Sequence, residues 1–504
     1  MVNKIYNFKE FLDYYCKKND KNIYYIGENN DEDQIKYCDL LKILKNFEYF
    51  LKIKRIKKKS KILVMLDNSK SLLIIYLSIL YNQRIFVPIN PNSGSSEISY
   101  IIKKTNPNFF ITDKIFFKKV KKITKIKTYF INHKNFIYDI AKIRFDKPKE
   151  NKKIYNDNIA QILFTSGSTG NPKGVILTHK SMLTNLYDIN NSLNLKIQKP
   201  KFLSVTPLYH NNGQFIPTLL PFILNGSTFS ISPETSLINF WPICIKYKIN
   251  YSSVMATHIN YFNTQEKILD HSLKSLFCGG AKLDKSSQKL FEKKFGTKIL
   301  CNYGLTETSS IASTESTFKK QFLYGSVGKP LKNNKIKITK FNKRYGEIWV
   351  KGNNIFKSYL GDKKLTSLKF NNGWFKTGDL GYFDKNKYLF IKDRIDNMII
   401  VSGENIYPLD IETHLFKFKD IKLGIISSVP DKITQNKLVM IYESKKIVSY
   451  DKFYNFLKNK ISKFKIPKII INVKELGINE IPKAPNKKIL RKKINLLISK
   501  FLFK

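Results

Sequence analysis

The 504-residue chain has few cysteines, and this scarcity narrows the kinds of site it can build. The five are scattered and form no paired spacing: Cys16, Cys38, Cys244, Cys278 and Cys301. Zinc sites and disulfide frameworks use regularly spaced cysteines, so both are disfavoured. We therefore expect a protein of a reducing compartment.

Long apolar runs are also missing. No stretch reaches the roughly 20 uncharged apolar residues of a transmembrane helix. The first residues, MVNKIYNFKEFLDYYCKK, carry acidic side chains where a signal peptide would be apolar. The sequence shows no internal repeat and no low-complexity linker. We expect a cytoplasmic protein without a transmembrane segment.

Acidic residues are scarce relative to basic ones, which at first sight suggests nucleic-acid binding. There are 39 Asp and Glu against 89 Lys and Arg, a formal net charge of +50. A nucleic-acid surface concentrates positive charge on one stripe or tail, whereas lysine here runs from Lys4 to Lys504 together with pervasive Ile and Asn. We interpret the lysines as a solvated surface whose summed field attracts anions such as nucleotides or acidic carriers.

The length and the hydrophobic pattern predict two domains of α/β type. The chain exceeds the usual size of about 100 to 200 residues per domain. From about residue 61, apolar runs such as ILVML alternate with segments such as SLLIIYLSILY (71–81), which we interpret as amphipathic helices. A strand-rich region near 325–392 predicts a β subdomain. The apolar runs after Arg394 predict a small α+β domain.

The densest cluster of glycine and hydroxyl residues is TSGSTGNPKG (165–174), between the apolar runs IAQILF and VILTH. Its backbone N–H groups and side chains can wrap polyphosphate oxygens. It differs from the Walker A pattern because a strand follows and no Gly-Lys-Ser/Thr ends it. A flexible Ser/Gly turn is the alternative. The candidate phosphate-binding residues are Thr165, Ser166, Gly167, Ser168, Thr169, Gly170 and Lys173.

This loop resembles the phosphate loop of the adenylate-forming (AMP-binding) superfamily, which includes acyl-CoA synthetases, luciferases and adenylation domains. The resemblance covers nearly the whole chain. It implies an adenylation domain over residues 1–395, with α/β and β subdomains, and a small mobile α+β lid domain over 396–504. The further segments that resemble family motifs, in order, are VPINP (87–91), LFCGGAKL (276–283), NYGLTE (302–307), GEIWVKG (346–352), GWFKTGDLGYFD (373–384), DRIDNMIIVSGENIYPLDIE (393–412) and IPKAPNKKILRK (481–492).

The NYGLTE segment implies contacts with ATP and its metal ion. Tyr303 offers a flat aromatic face for stacking on adenine, and Gly304 belongs to the same ATP-binding segment. Thr306 supplies a hydroxyl for the α-phosphate, and Glu307 a hard oxygen ligand for Mg²⁺. A buried tyrosine in a turn is the alternative for Tyr303.

The later motifs imply ribose contacts and a hinge. Asp379 can accept hydrogen bonds from both ribose hydroxyls through its two carboxylate oxygens, and Arg394 would contact the ribose or the phosphates. Asp396 matches the hinge residue at which the small domain pivots. Surface ion pairing is the alternative for Arg394 and Asp396. The usual glycine before Arg394 is Asp393 here, which bears on hinge flexibility.

The last motif implies a catalytic lysine. Lys488 aligns with the lysine of the family's terminal Pro-Lys-Thr-x-x-Gly-Lys signature, where a cation stabilises charge on the α-phosphorus during in-line attack. Lys487 replaces the usual glycine, and Ile489-Leu490-Arg491 fixes the register.

The acyl side is marked by TPLYHNNG (206–213), which resembles the segment whose histidine borders the carboxylate pocket. His210 is the candidate for gating or polarising the acid, with a core or turn histidine as the alternative. Small residues suit the adenine and acyl channel, and the candidates there are Gly279, Gly280 and Ala281. SSVMAT (252–257) lacks the Asp that would hold an amino-acid ammonium, which favours a simple carboxylic acid.

These features predict an AMP-forming acid–thiol ligase. The carboxylate of a small-molecule acid attacks the α-phosphate of MgATP and expels pyrophosphate. A thiol, with coenzyme A as the preferred acceptor, then attacks the mixed anhydride and releases AMP. One alternative is a stand-alone ligase that loads an acyl or aminoacyl group onto the phosphopantetheine of a carrier protein. The other is a non-catalytic nucleotide- or nucleic-acid-binding protein that kept the fold, although the retained candidate residues argue against it and no specific nucleic acid is expected.

Overall fold

The computed structural model describes most of the chain, and it divides the chain into two compact units. The described residues are 5, 7–27, 34–118, 120–133, 135–142, 157–165, 172–230, 237–316, 323–340, 345–401, 404–431, 434–483 and 489–502. The large unit comprises Met1–Lys337, Trp349–Thr377 and Phe383–Phe390. The small unit comprises Ile338–Ile348, Gly378–Tyr382 and Ile391–Lys504.

Strands and helices alternate along most of the chain, as the hydrophobic pattern predicts. The strands are β1 Ile23–Tyr25, β2 Ile35–Lys36, β3 Lys61–Met65, β4 Ile85–Pro88, β5 Phe109–Thr112, β6 Thr128–Phe130, β7 Ile159–Thr165, β8 Lys173–Thr178, β9 Lys201–Ser204, β10 Ser227–Ser230, β11 Tyr251–Val254, β12 Ser275–Cys278, β13 Lys298–Tyr303, β14 Ser313–Thr314, β15 Lys329–Pro330, β16 Lys335–Lys340, β17 Gly346–Lys351, β18 Ser358–Tyr359, β19 Phe370–Asn371, β20 Trp374–Phe383, β21 Leu389–Arg394, β22 Ile399–Val401, β23 Glu404–Ile406, β24 Leu423–Asp431, β25 Gln435–Glu443 and β26 Ile469–Asn472. The helices are α1 Phe8–Lys18, α2 Tyr37–Ile53, α3 Lys70–Tyr81, α4 Ser95–Thr105, α5 Lys114–Phe117, α6 Phe136–Lys142, α7 His179–Leu193, α8 Asn211–Gln214, α9 Leu220–Leu224, α10 Phe240–Lys246, α11 Ala256–Phe262, α12 Lys285–Phe295, α13 Lys363–Lys369, α14 Pro408–Leu415, α15 Tyr450–Leu457 and α16 Arg491–Leu502.

The large unit is built on two sheets with parallel centres. One has the order β15-β14-β13-β12-β11-β9-β10-β1-β2, and the strands from β13 to β10 run parallel. The other has the order β18-β8-β7-β4-β3-β5-β6, in which β8 runs antiparallel to β7 and β18. Parallel strands are buried on both faces, which accounts for their nearly continuous apolar runs.

Helix α3 confirms the predicted helix but corrects its amphipathic interpretation. Every residue from Ser71 to Tyr81 is buried, and the helix packs against α2 and β4. A helix that is apolar on all sides belongs in a core. The side chain of Ser69 caps the helix by accepting a hydrogen bond from the Leu72 N–H at 3.1 Å.

The predicted β subdomain and small α+β region are both present. Strands β16, β17, β20 and β19 form a sheet in that order, and β21 pairs with β20. In the small unit, β25 pairs antiparallel with β24 and parallel with β26. Helices α14 and α16 contact β24, and the core beneath α14 and α15 includes Ile426, Met440 and Phe453.

The structure also describes the bonding state of the cysteine thiols and the length and apolar character of the helices. The thiols of all five cysteines, which lie in described segments, are free. Within the described ranges, no helix has the length and apolar character needed to cross a membrane.

Candidate active site

The predicted phosphate loop connects two paired strand ends. Thr165 is the last residue of β7 and Lys173 the first of β8, and the two are antiparallel register partners. The strand after the loop is thus confirmed. Lys173 lies with its Nζ 5.8 Å from the ring centroid of Tyr359. The other candidates of the loop, Ser166, Gly167, Ser168, Thr169 and Gly170, lie outside the described residues.

Several candidate residues lie at, or shortly after, the carboxyl ends of parallel strands in the same sheet. Tyr303 ends β13, Gly279 follows β12, and the segment that contains His210 follows β9. In open α/β sheets this edge is where ligands bind. Gly279 approaches β13 so closely that a Cβ there would lie 2.2 Å from Asn302 Oδ1. Gly280 and Ala281 are exposed, and Gly280 has a φ of +80°.

The NYGLTE segment folds as a strand end followed by a tight turn. Tyr303 is buried, whereas Gly304, Thr306 and Glu307 are half-buried. A Cβ on Gly304 would lie 1.7 Å from the Ser310 carbonyl oxygen, so only glycine fits at this position. Residues Thr306–Thr308 form a 3₁₀ turn.

Glu307 is held by side-chain and main-chain bonds. Its Oε1 accepts a hydrogen bond from the Tyr359 hydroxyl at 2.8 Å, and its carbonyl oxygen accepts one from the Phe356 N–H at 2.8 Å. No group of three or more His, Cys, Asp or Glu able to hold a metal occurs in the part of the chain that the structure describes. Mg²⁺ usually keeps only one or two protein carboxylates beside substrate phosphates and water. A single half-buried Glu307 fits that manner of binding.

The His210 segment is fixed by neighbouring amides. Asn68 donates to the Thr206 carbonyl at 2.9 Å and accepts from the Leu208 N–H at 2.8 Å. The Asn211 side chain donates to the carbonyl of Ser309, which brings this segment beside the turn that carries Glu307.

The His210 ring is held neutral. His210 Nε2 is buried and has no hydrogen-bond partner among the described residues, although the residue keeps partial exposure. Burial lowers the pKa of His210 to about 4, so the imidazole is neutral near pH 7.

In the small unit, the predicted ribose ligand is paired with the predicted arginine. Asp379 Oδ1 lies 2.9 Å from Arg394 Nη1, and the Asp379 side chain is 7% exposed against 30% for Arg394. The main chain bends just before Asp379, where Gly378 has a φ of +76° and donates its N–H to Glu347 Oε1 at 3.0 Å. Asp396 lies in the 3₁₀ turn Ile395–Asn397.

The loop of the last motif lies between paired flanks. Lys483 and Ile489 are bridge partners, and the Leu490 N–H donates to the Pro482 carbonyl at 2.9 Å. Arg491, which fixes the sequence register, bonds Glu412 at 2.7 Å. The candidate Lys488 lies outside the described residues.

Two residues of the site were not predicted from the sequence. Asn302 has a buried Nδ2 without a hydrogen-bond partner in the described ranges, beside Gly279. Its position directly before Tyr303 in the NYGLTE segment was a signal for it. Tyr359 is separated from Glu307 by 52 residues, and no local pattern marks it.

The fold and these residues define a nucleotide-dependent enzyme of α/β type. A family model described as AMP-binding enzyme matches residues 13–360, more than half of the chain. The chain belongs to the AMP-binding enzyme family.

Relatives agree in sequence and in fold. The 2-succinylbenzoate–CoA ligase of Bacillus licheniformis is 28% identical over 440 residues, which cover 86% of this chain and 88% of that protein. The long-chain-fatty-acid–CoA ligase of Bacillus subtilis is 27% identical over an alignment of 517 positions, which covers 92% of this chain and 90% of that protein. The solved structure of o-succinylbenzoate CoA synthetase from Bacillus subtilis with its acyl-adenylate intermediate has a TM-score of 0.84 at 23% identity, covering 96% of this chain and 97% of that one.

Family membership confirms the predicted fold class and enzyme class. The chain is an AMP-forming acid–thiol ligase, which forms an acyl-adenylate from a carboxylic acid and ATP and then transfers the acyl group to a thiol. One solved relative holds ATP and a magnesium ion, and the ligases named above use coenzyme A. Family membership supports the predicted nucleotide, whereas Mg²⁺ and coenzyme A stay predictions for this chain. The role of each site residue and the domain boundary at 395/396 stay predictions.

Proposed function

We propose that this chain makes a coenzyme A thioester from a carboxylic acid, with AMP and pyrophosphate as the other products. The supporting observation is that one side chain contacts both a carboxylate and an ammonium group of the predicted ATP site. The Tyr359 hydroxyl is bonded to Glu307, and the Lys173 ammonium lies over the Tyr359 ring. A fixed carboxylate and a fixed cation are what a metal-bound triphosphate requires of its protein ligands.

The residues of the large unit would bind the triphosphate and the acid. Glu307 would hold the magnesium ion of MgATP, and that ion, when bound, neutralises charge on the phosphate oxygens. Lys173 and the loop that begins at Thr165 would bind the β- and γ-phosphates, and Thr306 the α-phosphate. His210, neutral because burial lowers its pKa to about 4, would donate a hydrogen bond from its ring N–H to the carboxylate.

The nucleoside would be bound by other residues. Tyr303 would stack on adenine beside Gly304, Gly280 and Ala281. Asp379 would accept hydrogen bonds from the ribose hydroxyls, with Arg394 orienting its carboxylate. We assign Lys488, from its sequence register, to charge stabilisation at the α-phosphorus.

The names of the relatives suggest which acids to test first. They include ligases of 2-succinylbenzoate and of long-chain fatty acids. Coenzyme A is the proposed acceptor, and the phosphopantetheine arm of a carrier protein is the alternative, since the net charge of +50 favours either anion. The proposed location is the cytoplasm, with five free thiols in support.

The test is AMP release from ATP with a panel of carboxylic acids, with and without coenzyme A. The panel contains 2-succinylbenzoate, aromatic acids and fatty acids of increasing chain length, and Glu307→Gln is the inactive control. We expect one class of acid to give AMP release that depends on coenzyme A. Release that depends instead on a phosphopantetheinylated carrier would favour the alternative, and the absence of pyrophosphate exchange with every acid would contradict the proposal.

A further inference from the structure

A short segment joins two parts of the predicted ATP site by main-chain hydrogen bonds. The N–H of Phe356 donates to the carbonyl of Glu307 at 2.8 Å. The N–H groups of Lys357 and Leu360 donate to carbonyls of β8 at 2.9 and 2.7 Å. Strand β18, within this segment, pairs with β8, the strand that begins at Lys173. The segment Phe356–Leu360 therefore connects the turn of Glu307 with the strand of the phosphate loop.

Tyr359 is the side chain of this segment that contacts both parts. It is 4% exposed, and its hydroxyl donates to Glu307 Oε1 at 2.8 Å. The Lys173 Nζ lies 5.8 Å from its ring centroid, within the range of a cation–π contact. The hydroxyl thus contacts the carboxylate, and the ring face contacts the ammonium group.

We infer that Tyr359 is a positioning residue for MgATP, an inference that rests on the proposed roles of Glu307 and Lys173. The hydroxyl holds one oxygen of the Glu307 carboxylate and so fixes the orientation of the whole group, whose other oxygen would be the one to bind a metal ion. Outer groups that orient a metal-ligating carboxylate in this way typically alter metal affinity by roughly 10- to 100-fold when they are removed. The ring face holds the Lys173 ammonium near the strand end from which the phosphate loop departs.

The two contacts can be removed separately. Tyr359→Phe deletes the hydroxyl and keeps the ring, whereas Tyr359→Leu deletes both. Titration calorimetry gives the Kd of MgATP, and of ATP in excess EDTA, for each variant without any turnover. We expect Tyr359→Phe to weaken MgATP binding roughly tenfold or more and to leave metal-free ATP binding unchanged. Tyr359→Leu should weaken both, because Lys173 loses its contact as well.

A matched control separates this role from a structural one. Tyr76 is buried, and its hydroxyl has no hydrogen-bond partner among the residues that the structure describes. Tyr76→Phe should therefore leave both Kd values unchanged. If Tyr359→Phe weakened MgATP and metal-free ATP equally and lowered the Tm, Tyr359 would be a packing residue and the inference would be overturned.

Glu307→Gln distinguishes failure of this inference from failure of the proposed function. We expect Glu307→Gln to weaken MgATP binding, and Tyr359→Phe to add little in that background, because the hydroxyl acts through the carboxylate. If Glu307→Gln bound MgATP as the native protein does, the proposed role of Glu307 would fail and this inference with it. If Glu307→Gln weakened binding and Tyr359→Phe did not, the inference alone would fail.

Discussion

Replacing Asp379 by Asn tests the predicted ribose contact with the least disturbance of the fold. The carboxylate is almost fully buried, and its Oδ1 lies 2.9 Å from Arg394 Nη1. The amide has nearly the same shape but offers a single acceptor oxygen and no charge. The amide oxygen can still accept a hydrogen bond from Arg394, which keeps partial exposure to water, so we expect the variant to fold.

The expected loss of binding is larger than the expected loss of stability. A hydrogen bond to a charged group contributes roughly 1.5 to 3 kcal/mol, which corresponds to a roughly 10- to 150-fold weaker Kd for ATP. The ribose 2′-hydroxyl that would donate this hydrogen bond to Asp379 can also be removed, by replacing ATP with 2′-deoxy-ATP. The Kd of 2′-deoxy-ATP divided by that of ATP should therefore be large for the native protein and several-fold smaller for Asp379→Asn, whose amide oxygen is a weaker, uncharged acceptor.

Asp420→Asn is the control. Asp420 also pairs with a basic side chain, Lys452, at 2.9 Å in the small unit, but it lies outside the motifs and is exposed. It should leave both Kd values unchanged. The same ratio of Kd values in the native protein and in Asp379→Asn would refute the ribose assignment, because the lost hydroxyl would then not contact this carboxylate.

Three further predictions concern the lysine, the hinge and a buried acid. Lys488→Ala should slow adenylation roughly 100-fold or more but spare thioester formation from supplied acyl-adenylate. Lys487→Ala is the control, and equal loss in both half-reactions would contradict the catalytic role of Lys488. Asp396→Pro should keep pyrophosphate exchange and abolish thioester yield, since proline fixes φ; unimpaired thioester yield would contradict the pivot. Burial raises the pKa of Glu315 from 4.5 to about 8, so the folded protein holds a proton that the unfolded chain releases, and stability falls as pH rises through this window. Glu315→Gln should therefore raise the Tm by several degrees at pH 8 and change it little at pH 4, which a pH series of melting curves would check.

Elements with a local signal were predictable from the sequence. The strands beside the phosphate loop are marked by apolar runs that Gly, Ser and Pro interrupt, and the structure pairs them as β7 and β8. The interior position of α3 was not predictable by the same route. A continuous apolar run has no period that distinguishes a helix with one buried face from a helix buried on all faces. Helix α3 is buried on all faces.

Contacts between distant segments had no sequence signal. Tyr359 lies in the two-residue strand β18, and its partners Glu307 and Lys173 belong to other motifs. The pairing of β18 with β8 brings Tyr359 to the strand of Lys173, and the bond from the Phe356 N–H to the Glu307 carbonyl brings it to the turn of Glu307. A tyrosine has no sequence pattern that predicts contacts with distant residues. Glu307 and Lys173 were therefore predicted as site residues from their motifs, whereas Tyr359, which contacts both, was not.

Asp393 shows how a departure from the family pattern acquires a physical meaning. Where the family usually has glycine, Asp393 is 1% exposed, and its carboxylate accepts hydrogen bonds from the Arg394 N–H at 2.7 Å and the Leu409 N–H at 3.2 Å. A third bond, from Asn397 Nδ2 at 2.9 Å, spans the predicted hinge residue Asp396. A pivot that broke this last bond would cost about 1 to 2 kcal/mol, which shifts the balance between two arrangements roughly 5- to 30-fold. Side-chain bonds therefore hold the backbone of this turn where the family usually has glycine, and a pivot at the predicted hinge residue would have to break the bond that joins Asp393 and Asn397.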